Sequence, residues 1–169
     1  MRLFARRRLT PAEVALAQSV FAEQITYSKV RVFQGPTLGF GAMVPAGTTI
    51  VFSRWRAPLD FAKTEPTEQG WFIHELAHVW QAARGVILAG AKLSALGAKA
   101  YRYSLKPGDR LADFNIEQQA EIARGVFHAR LGQKAPGHPA PDLLEAVWPV
   151  PNAKAAPAAL KPGPVAPGT

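Results

Sequence analysis

Two histidines near the middle of the chain have the spacing of a metal-binding pair. His74 and His78 stand at the ends of the segment His-Glu-Leu-Ala-His, so on a helix both imidazoles project from one face, one turn apart. That placement lets both rings bind one tetrahedral zinc ion. Glu75 is adjacent to the first histidine, from where it can act as a general base on a zinc-bound water. We therefore expect a zinc site suited to peptide-bond hydrolysis; the alternative is a pair of ordinary, partly buried histidines.

A catalytic zinc site usually has three protein ligands, so a further one must come from elsewhere in the chain. The metzincin motif would place glycine and histidine where this chain has Gln81 and Arg84, so that class is excluded. The candidates downstream are two aspartates, two glutamates and one histidine: Asp109, Asp113, Glu117, Glu121 and His128.

The two glutamates are favoured because they form another pair with i, i+4 spacing on a predicted helix. Glu117 would bind the metal, and Glu121 would accept the free ring N–H of a ligand histidine and so fix its tautomer. The alternative for this pair is a solvated helix face. Like charges at this spacing cost a little in an isolated helix, and a nearby cation would offset that cost.

Capping signals and apolar periodicity predict the elements that carry these residues. Thr10 and Glu13 form a capping box, and Asn115 and Gln118 form a second one. The expected helices cover residues 11–24, 67–84 (stopped by Gly85), 86–100, 116–131 and 142–147. Residues 48–52 predict the clearest strand, in a β-like region that also holds Val30, Val32 and Phe40.

The predicted fold class is α+β, with three or four helices packed on a small, mostly antiparallel sheet. The zinc would lie between the helices of residues 67–84 and 116–131. The expected organisation is a basic N-terminal arm over residues 1–9, one domain over residues 10–148, and a disordered tail rich in Pro and Ala over residues 149–169.

Composition narrows the possible chemistry. None of the 169 residues is cysteine, which excludes disulfides, thiolate zinc sites and cysteine nucleophiles. No apolar run approaches the length of about 20 residues that a membrane span needs. No apolar segment follows the basic start of the chain, so we expect no signal peptide, a cytoplasmic protein as synthesised, and no membrane insertion. The net charge of +8 comes without a nucleic-acid-binding motif, which disfavours a nucleic-acid partner.

The motif and its surroundings resemble a family of small zincin-like metallopeptidases encoded in bacteria near VgrG, Rhs and other contractile-injection components. The resemblance covers residues 9–133 and rests on His-Glu-Leu-Ala-His-Val-Trp-Gln from His74, Ile-Glu-Gln-Gln-Ala-Glu-Ile from residue 116, Tyr-Arg-Tyr at 101–103 and the N-terminal Leu-Thr-Pro-Ala-Glu. The pattern of two acids is also similar to that of gluzincins, with Glu121 where they have aspartate.

The resemblance implies a zincin-like fold and a Zn²⁺ cofactor held by His74, His78 and Glu117, with Glu121 in support. It also implies that residues 48–52 form an edge strand that pairs with extended substrate. The implied partners are a peptide or protein substrate and components of a secretion apparatus, with export through a contractile injection system.

The expected reaction is hydrolysis by a zinc-activated water, with Glu75 taking the proton and passing it to the leaving amine. Tyr103 is the favoured candidate, and Tyr101 the second, to donate a hydrogen bond to the developing oxyanion; the alternative for both is ordinary packing. Two other functions compete with this one. The first is a non-catalytic zinc-containing adaptor or accessory protein of a bacterial injection system. The second is a nucleic-acid-associated protease, suggested by the positive charge.

Overall fold

Four α-helices and one small sheet make up most of the part of the chain that the computed structural model describes, residues 4–35, 42–53, 57–88, 98–133 and 137–152. The helices are α1 (Pro11–Phe21), α2 (Pro66–Ala83), α3 (Ile116–Arg130) and α4 (Pro141–Val147). All four were predicted, with boundaries within three residues. The helix expected over residues 86–100 falls mainly on residues 89–97, outside the described residues, and Ala98–Tyr101 form a short 3₁₀ helix.

Both predicted capping boxes are present. The Thr10 side chain accepts a hydrogen bond from the Glu13 backbone N–H, and the Glu13 carboxylate accepts one from the Thr10 N–H. Asn115 and Gln118 form the same reciprocal pair at the start of α3. These pairs satisfy N–H groups that a helix start leaves without partners, and they fix where α1 and α3 begin.

The sheet is mixed and has the strand order β1-β2-β4-β3. Its strands are β1 (Arg6–Arg8), β2 (Arg31–Gln34), β3 (Ala42–Ala46) and β4 (Thr49–Phe52). β1 is antiparallel to β2 and β3 is antiparallel to β4, while β2 and β4 are parallel. The α+β class is therefore confirmed, and two of the three strand pairings are antiparallel.

The predicted strand over residues 48–52 exists as β4, but it is not an edge strand. It lies between β2 and β3, so both of its backbone edges are already hydrogen-bonded. The prediction that this strand pairs with substrate is therefore wrong. An incoming strand could join this sheet only at β1 or β3, and β3 is the one of these two that packs against α2.

The basic N-terminal segment enters the sheet. Residues 6–8 form β1, and the Arg7 guanidinium makes two hydrogen bonds, of 2.6 and 2.7 Å, with the buried carboxylate of Glu13. Glu13 also accepts hydrogen bonds from the backbone N–H groups of Thr10 and Phe61. A buried carboxylate needs such compensation. Residues 6–8 are thus part of the folded domain, where the sequence predicted a free arm.

The C-terminal part of the domain is fastened by Arg130 at the end of α3. Its buried guanidinium pairs with Glu145 on α4 and donates hydrogen bonds to the backbone oxygens of Ser19 and Val150. Val150 itself is buried, so the domain extends past the predicted boundary at residue 148. Residues 153–169 of the predicted tail lie outside the described residues. No helix in the described part of the chain is both long and apolar enough to span a bilayer.

Candidate metal centre

The predicted chemistry lies where α2 packs against α3, the most extensive contact between helices in the described part of the chain. One side of α2 buries aromatic rings; Phe72 stacks on Phe61 at a centroid distance of 4.6 Å. The side of α2 that faces α3 carries His74 and His78, both of which are buried. Glu117, in the first turn of α3, is buried against them.

Three ligand atoms converge on one point. Oε2 of Glu117 lies 3.2 Å from Nε2 of His74 and 3.2 Å from Nε2 of His78. In a tetrahedral site with metal–ligand bonds of about 2.0–2.1 Å, neighbouring ligand atoms are about 3.3 Å apart. The three atoms lie within 4.8 Å of one another, and among the described residues they form the one cluster with this geometry. The two nitrogens and one oxygen therefore fit a zinc ion.

The ring nitrogens that face away from this point are also engaged. Nδ1 of His74 lies 2.8 Å from Oε1 of Glu121, a short ion-pair contact although it is not aligned as a straight hydrogen bond. Nδ1 of His78 lies 2.9 Å from Oε1 of Gln81. Partners of this kind hold imidazole ligands in one orientation and tautomer. Oε2 of Glu117 thus lies at the point shared by the two Nε2 atoms, and Oε1 of Glu121 lies on the opposite side of the His74 ring.

Electrostatics in the metal-free site favour a charged cluster. Burial lowers the pKa of His74, but the carboxylates of Glu117 and Glu121 outweigh burial and raise that pKa to about 9. Burial raises the pKa of Glu117, but the hydrogen bonds from both imidazoles prevail and hold it far below its ordinary value. In the absence of metal, a protonated His74 therefore pairs with ionised carboxylates.

Glu75 is buried in the same region. Its side chain is buried, and Oε2 has no hydrogen-bond partner among the described residues. Its negative charge raises the pKa values of His74 and Tyr101, which places the carboxylate beside these two groups. A buried carboxylate oxygen without a partner is costly, and a bound water or a substrate N–H would remove that cost.

The two candidate tyrosines have different surroundings. The Tyr103 hydroxyl lies 3.1 Å from Nδ1 of His138, and its ring packs against Phe114. The Tyr101 ring stacks over His74 at a centroid distance of 6.1 Å and is half exposed. Tyr101 therefore borders the ligand cluster directly, whereas Tyr103 is hydrogen-bonded to His138.

The other candidate ligands have different partners. Asp109 and Asp113 accept hydrogen bonds from the backbone N–H groups of Lys106 and Arg110, in exposed turns. His128 is buried, with Nδ1 3.2 Å from Oε1 of Gln133. None of these three side chains belongs to the cluster of ligand atoms, within the residues that the structure describes.

Two residues near the site were missed by sequence reasoning. Gln81 was used only to exclude metzincins, although its i+3 spacing from His78 indicates a contact on one helix face. His138 lies in a loop, with Nε2 3.9 Å from Oε2 of Glu121. Its ring occupies space left by Gly125, where an added Cβ would lie 2.9 Å from Nδ1 of His138. A glycine inside a predicted helix was the available signal, because glycine there is unfavourable.

Comparison with known proteins relates the chain to a spike protein of a secretion system. No family model matches the sequence. The type VI secretion system spike protein VgrG2b of Pseudomonas aeruginosa is 38% identical over 135 residues, a match that covers 73% of this chain but only 13% of that protein. A solved structure of the effector domain of Pseudomonas aeruginosa VgrG2b has 36% sequence identity and a TM-score of 0.64, and the match covers 74% of this chain and 75% of that one. The chain therefore belongs to the same family as the VgrG2b effector domain.

Proposed function

We propose that the chain is a zinc-dependent peptidase that acts as an effector domain in type VI secretion. The observation that carries the catalytic part is the convergence of two Nε2 atoms and one carboxylate oxygen, from His74, His78 and Glu117, beside the buried carboxylate of Glu75. The fold that presents them is zincin-like in this proposal, with the active-site helix α2 packed between the sheet and α3.

His74, His78 and Glu117 would hold the ion, and Glu121 and Gln81 would keep the two imidazoles oriented. Bound zinc supplies an acidified water and polarises the carbonyl of the scissile bond. Glu75 accepts the proton of the attacking water and delivers it to the leaving amine. The buried position of Glu75 beside His74 and Tyr101 supports this role.

We assign to Tyr101 the role of a second group, besides zinc, that stabilises the oxyanion, by donating a hydrogen bond to it. Its ring borders the ligand His74, and burial together with the charges of Glu117, Glu75 and Glu121 raises the pKa of its phenol. It therefore remains protonated and able to donate at neutral pH. Tyr103, the tyrosine first favoured for this role, would instead support the loop that carries His138.

Relationship to the VgrG2b effector domain supports delivery by a secretion apparatus. That domain is one part of a much longer spike protein, and this chain matches 13% of the whole. We therefore transfer only the effector role to this chain. We propose that its substrate is a peptide or protein at the site of delivery. Export would then depend on a contractile injection system.

The decisive experiment is Glu75→Gln, which keeps the shape of the side chain and removes the base. We expect the variant to retain one zinc ion per chain, with affinity within about threefold, and to lose roughly 10²- to 10⁴-fold in peptide hydrolysis. Metal analysis and digestion of a peptide library would measure the two effects. Undiminished hydrolysis in the variant would exclude Glu75 as the base.

The alternative is a non-catalytic zinc-containing accessory protein of the same apparatus. It is favoured by the burial of the ligands, since His74, His78 and Glu117 are only 1–5% exposed, as is usual for closed structural sites. Under this alternative the unsubstituted chain would bind zinc and gain stability from it, but would cleave no member of the peptide library. The retained Glu75 argues for catalysis, because a structural site needs no base.

A further inference from the structure

We infer that Gln81 is a positioning residue of the metal centre, which sets the tautomer of the ligand His78 through hydrogen bonds anchored on backbone carbonyls. This inference rests on the proposed zinc site. Gln81 lies in the last turns of α2 and is 1% exposed, so its amide cannot exchange partners with solvent. Its three polar contacts are all with groups at the junction of α2 and α3.

The orientation of this amide follows from its partners. Nε2 of Gln81 donates to the backbone oxygen of Ile116 at 2.9 Å and to Oε1 of Gln119 at 3.0 Å. Nε2 of Gln119 in turn donates to the backbone oxygens of Leu111 and Phe114. A backbone carbonyl can only accept, so each NH₂ group must face its carbonyl partners. Both amides are thereby locked, and Oε1 of Gln81 must point at His78.

The fixed orientation of the Gln81 amide determines which ring nitrogen of His78 carries the proton. Oε1 of Gln81 can only accept, so Nδ1 of His78, 2.9 Å away, must carry a proton. In a ring that binds metal, Nε2 is then the nitrogen that gives up its proton, and its lone pair is directed at the point shared with Glu117. One of the carbonyls that hold the Gln81 amide belongs to Ile116, the residue before Glu117. The same hydrogen bonds therefore also connect the two helices that carry the proposed ligands.

The inference can be separated from a merely structural role by two substitutions at the same position. Gln81→Met fills the space but accepts no hydrogen bond from His78. Gln81→Glu accepts that bond but places a carboxylate oxygen against two acceptors, the Ile116 carbonyl and Oε1 of Gln119. Both variants should lose stability when metal-free. Gln69→Met is the matched control, because Gln69 is also buried on α2 and donates only to the backbone oxygens of Ala62 and Thr64.

Zinc affinity, measured by competition with a chromophoric chelator, should separate the variants. We expect Q81M to bind zinc about 10- to 100-fold more weakly than the unsubstituted chain, as is typical when such a supporting partner is lost. Q81E and Q69M should stay within about threefold. Equal weakening in Q81E and Q81M, or none in Q81M, would overturn the positioning role. No stoichiometric zinc in the unsubstituted chain would overturn the proposed function itself.

A second measurement does not depend on Q81M folding. In the zinc-loaded protein, the Nδ1 proton of His78 should give a slowly exchanging, hydrogen-bonded NMR resonance. In Q81E that resonance should move downfield, because a charged acceptor forms the stronger hydrogen bond. A resonance that stays in place in Q81E would show that residue 81 is not the partner of His78, and would overturn the inference.

Discussion

The different roles assigned to Glu117 and Glu121 give a quantitative prediction for their alanine variants. Oε2 of Glu117 lies 3.2 Å from Nε2 of both His74 and His78, whereas Oε1 of Glu121 contacts Nδ1 of His74, on the other side of that ring. Glu117→Ala should therefore remove a ligand, and Glu121→Ala should remove only the support of one. Zinc-binding free energies of about 10–16 kcal/mol over four ligands correspond to roughly 2.5–4 kcal/mol per ligand, or about 70- to 900-fold in affinity.

These differences should be visible in urea unfolding with and without zinc. At a free zinc concentration of about 100 times the dissociation constant of the unsubstituted chain, zinc should add about 2.7 kcal/mol to the free energy of unfolding. If Glu121→Ala weakens binding about 30-fold, that increment falls to about 0.9 kcal/mol. For Glu117→Ala it should be about 0.1–0.5 kcal/mol.

Comparing each variant with and without zinc removes the effect of the substitution on the metal-free fold. Glu68→Ala, at an exposed position in the first turn of α2, is the matched control and should keep the full increment. A larger loss in Glu121→Ala than in Glu117→Ala would reverse the two roles. Equal and full increments in both would remove α3 from the metal site altogether.

Three further predictions concern the surroundings of the site. The pKa of His74 is raised to about 9 in the metal-free protein, so the ring is protonated at pH 7.5 and must release about one proton when zinc binds. Zinc affinity should therefore rise with pH up to about 9. Equal heats of zinc binding in two buffers of different ionisation enthalpy, measured by calorimetry, would contradict this proton release. Tyr101→Phe should lower turnover about 10²- to 10³-fold without changing zinc affinity, whereas Tyr103→Phe should not; the reverse order would exclude Tyr101 as the donor. Gly125→Ala gains about 1 kcal/mol in helix propensity, but its Cβ would lie 2.9 Å from Nδ1 of His138, which costs about 1–3 kcal/mol. Urea unfolding should therefore show a net loss of stability rather than a gain.

Local signals were enough to predict the helices and to select the ligand candidates. The capping boxes at Thr10 and Asn115 depend on residues three positions apart, and the i, i+4 pairs of α2 and α3 depend on helix geometry alone. The expectation that these two pairs face each other came from the requirement of a catalytic zinc ion for a third protein ligand.

Features that depend on distant partners were not predicted. The interior position of β4 in the sheet depends on which strands pair with it, and local sequence does not determine that pairing. The one local indication is that three consecutive apolar residues, Ile50, Val51 and Phe52, are all buried, which is typical of a strand covered on both faces. The three arginines of β1 have no strand signal of their own, and their pairing with β2 decides their conformation. Tyr101 and Tyr103 differ by two positions in a segment without regular periodicity, so only the fold distinguishes them.

The hydrogen bonds of Arg130 fix the position of Val150, near the last described residue of the chain. Glu117 lies in the first turn of α3 and Arg130 at its last residue, so about 20 Å of helix axis separates the ligand cluster from the guanidinium that holds Val150. A fusion partner, affinity label or dye attached at residue 152 would therefore be tethered near the opposite end of α3 from the ligand cluster. Position 152 is thus the attachment point that we favour for cargo or for an immobilised assay, because it follows a residue held at the end of α3 that is distant from Glu117.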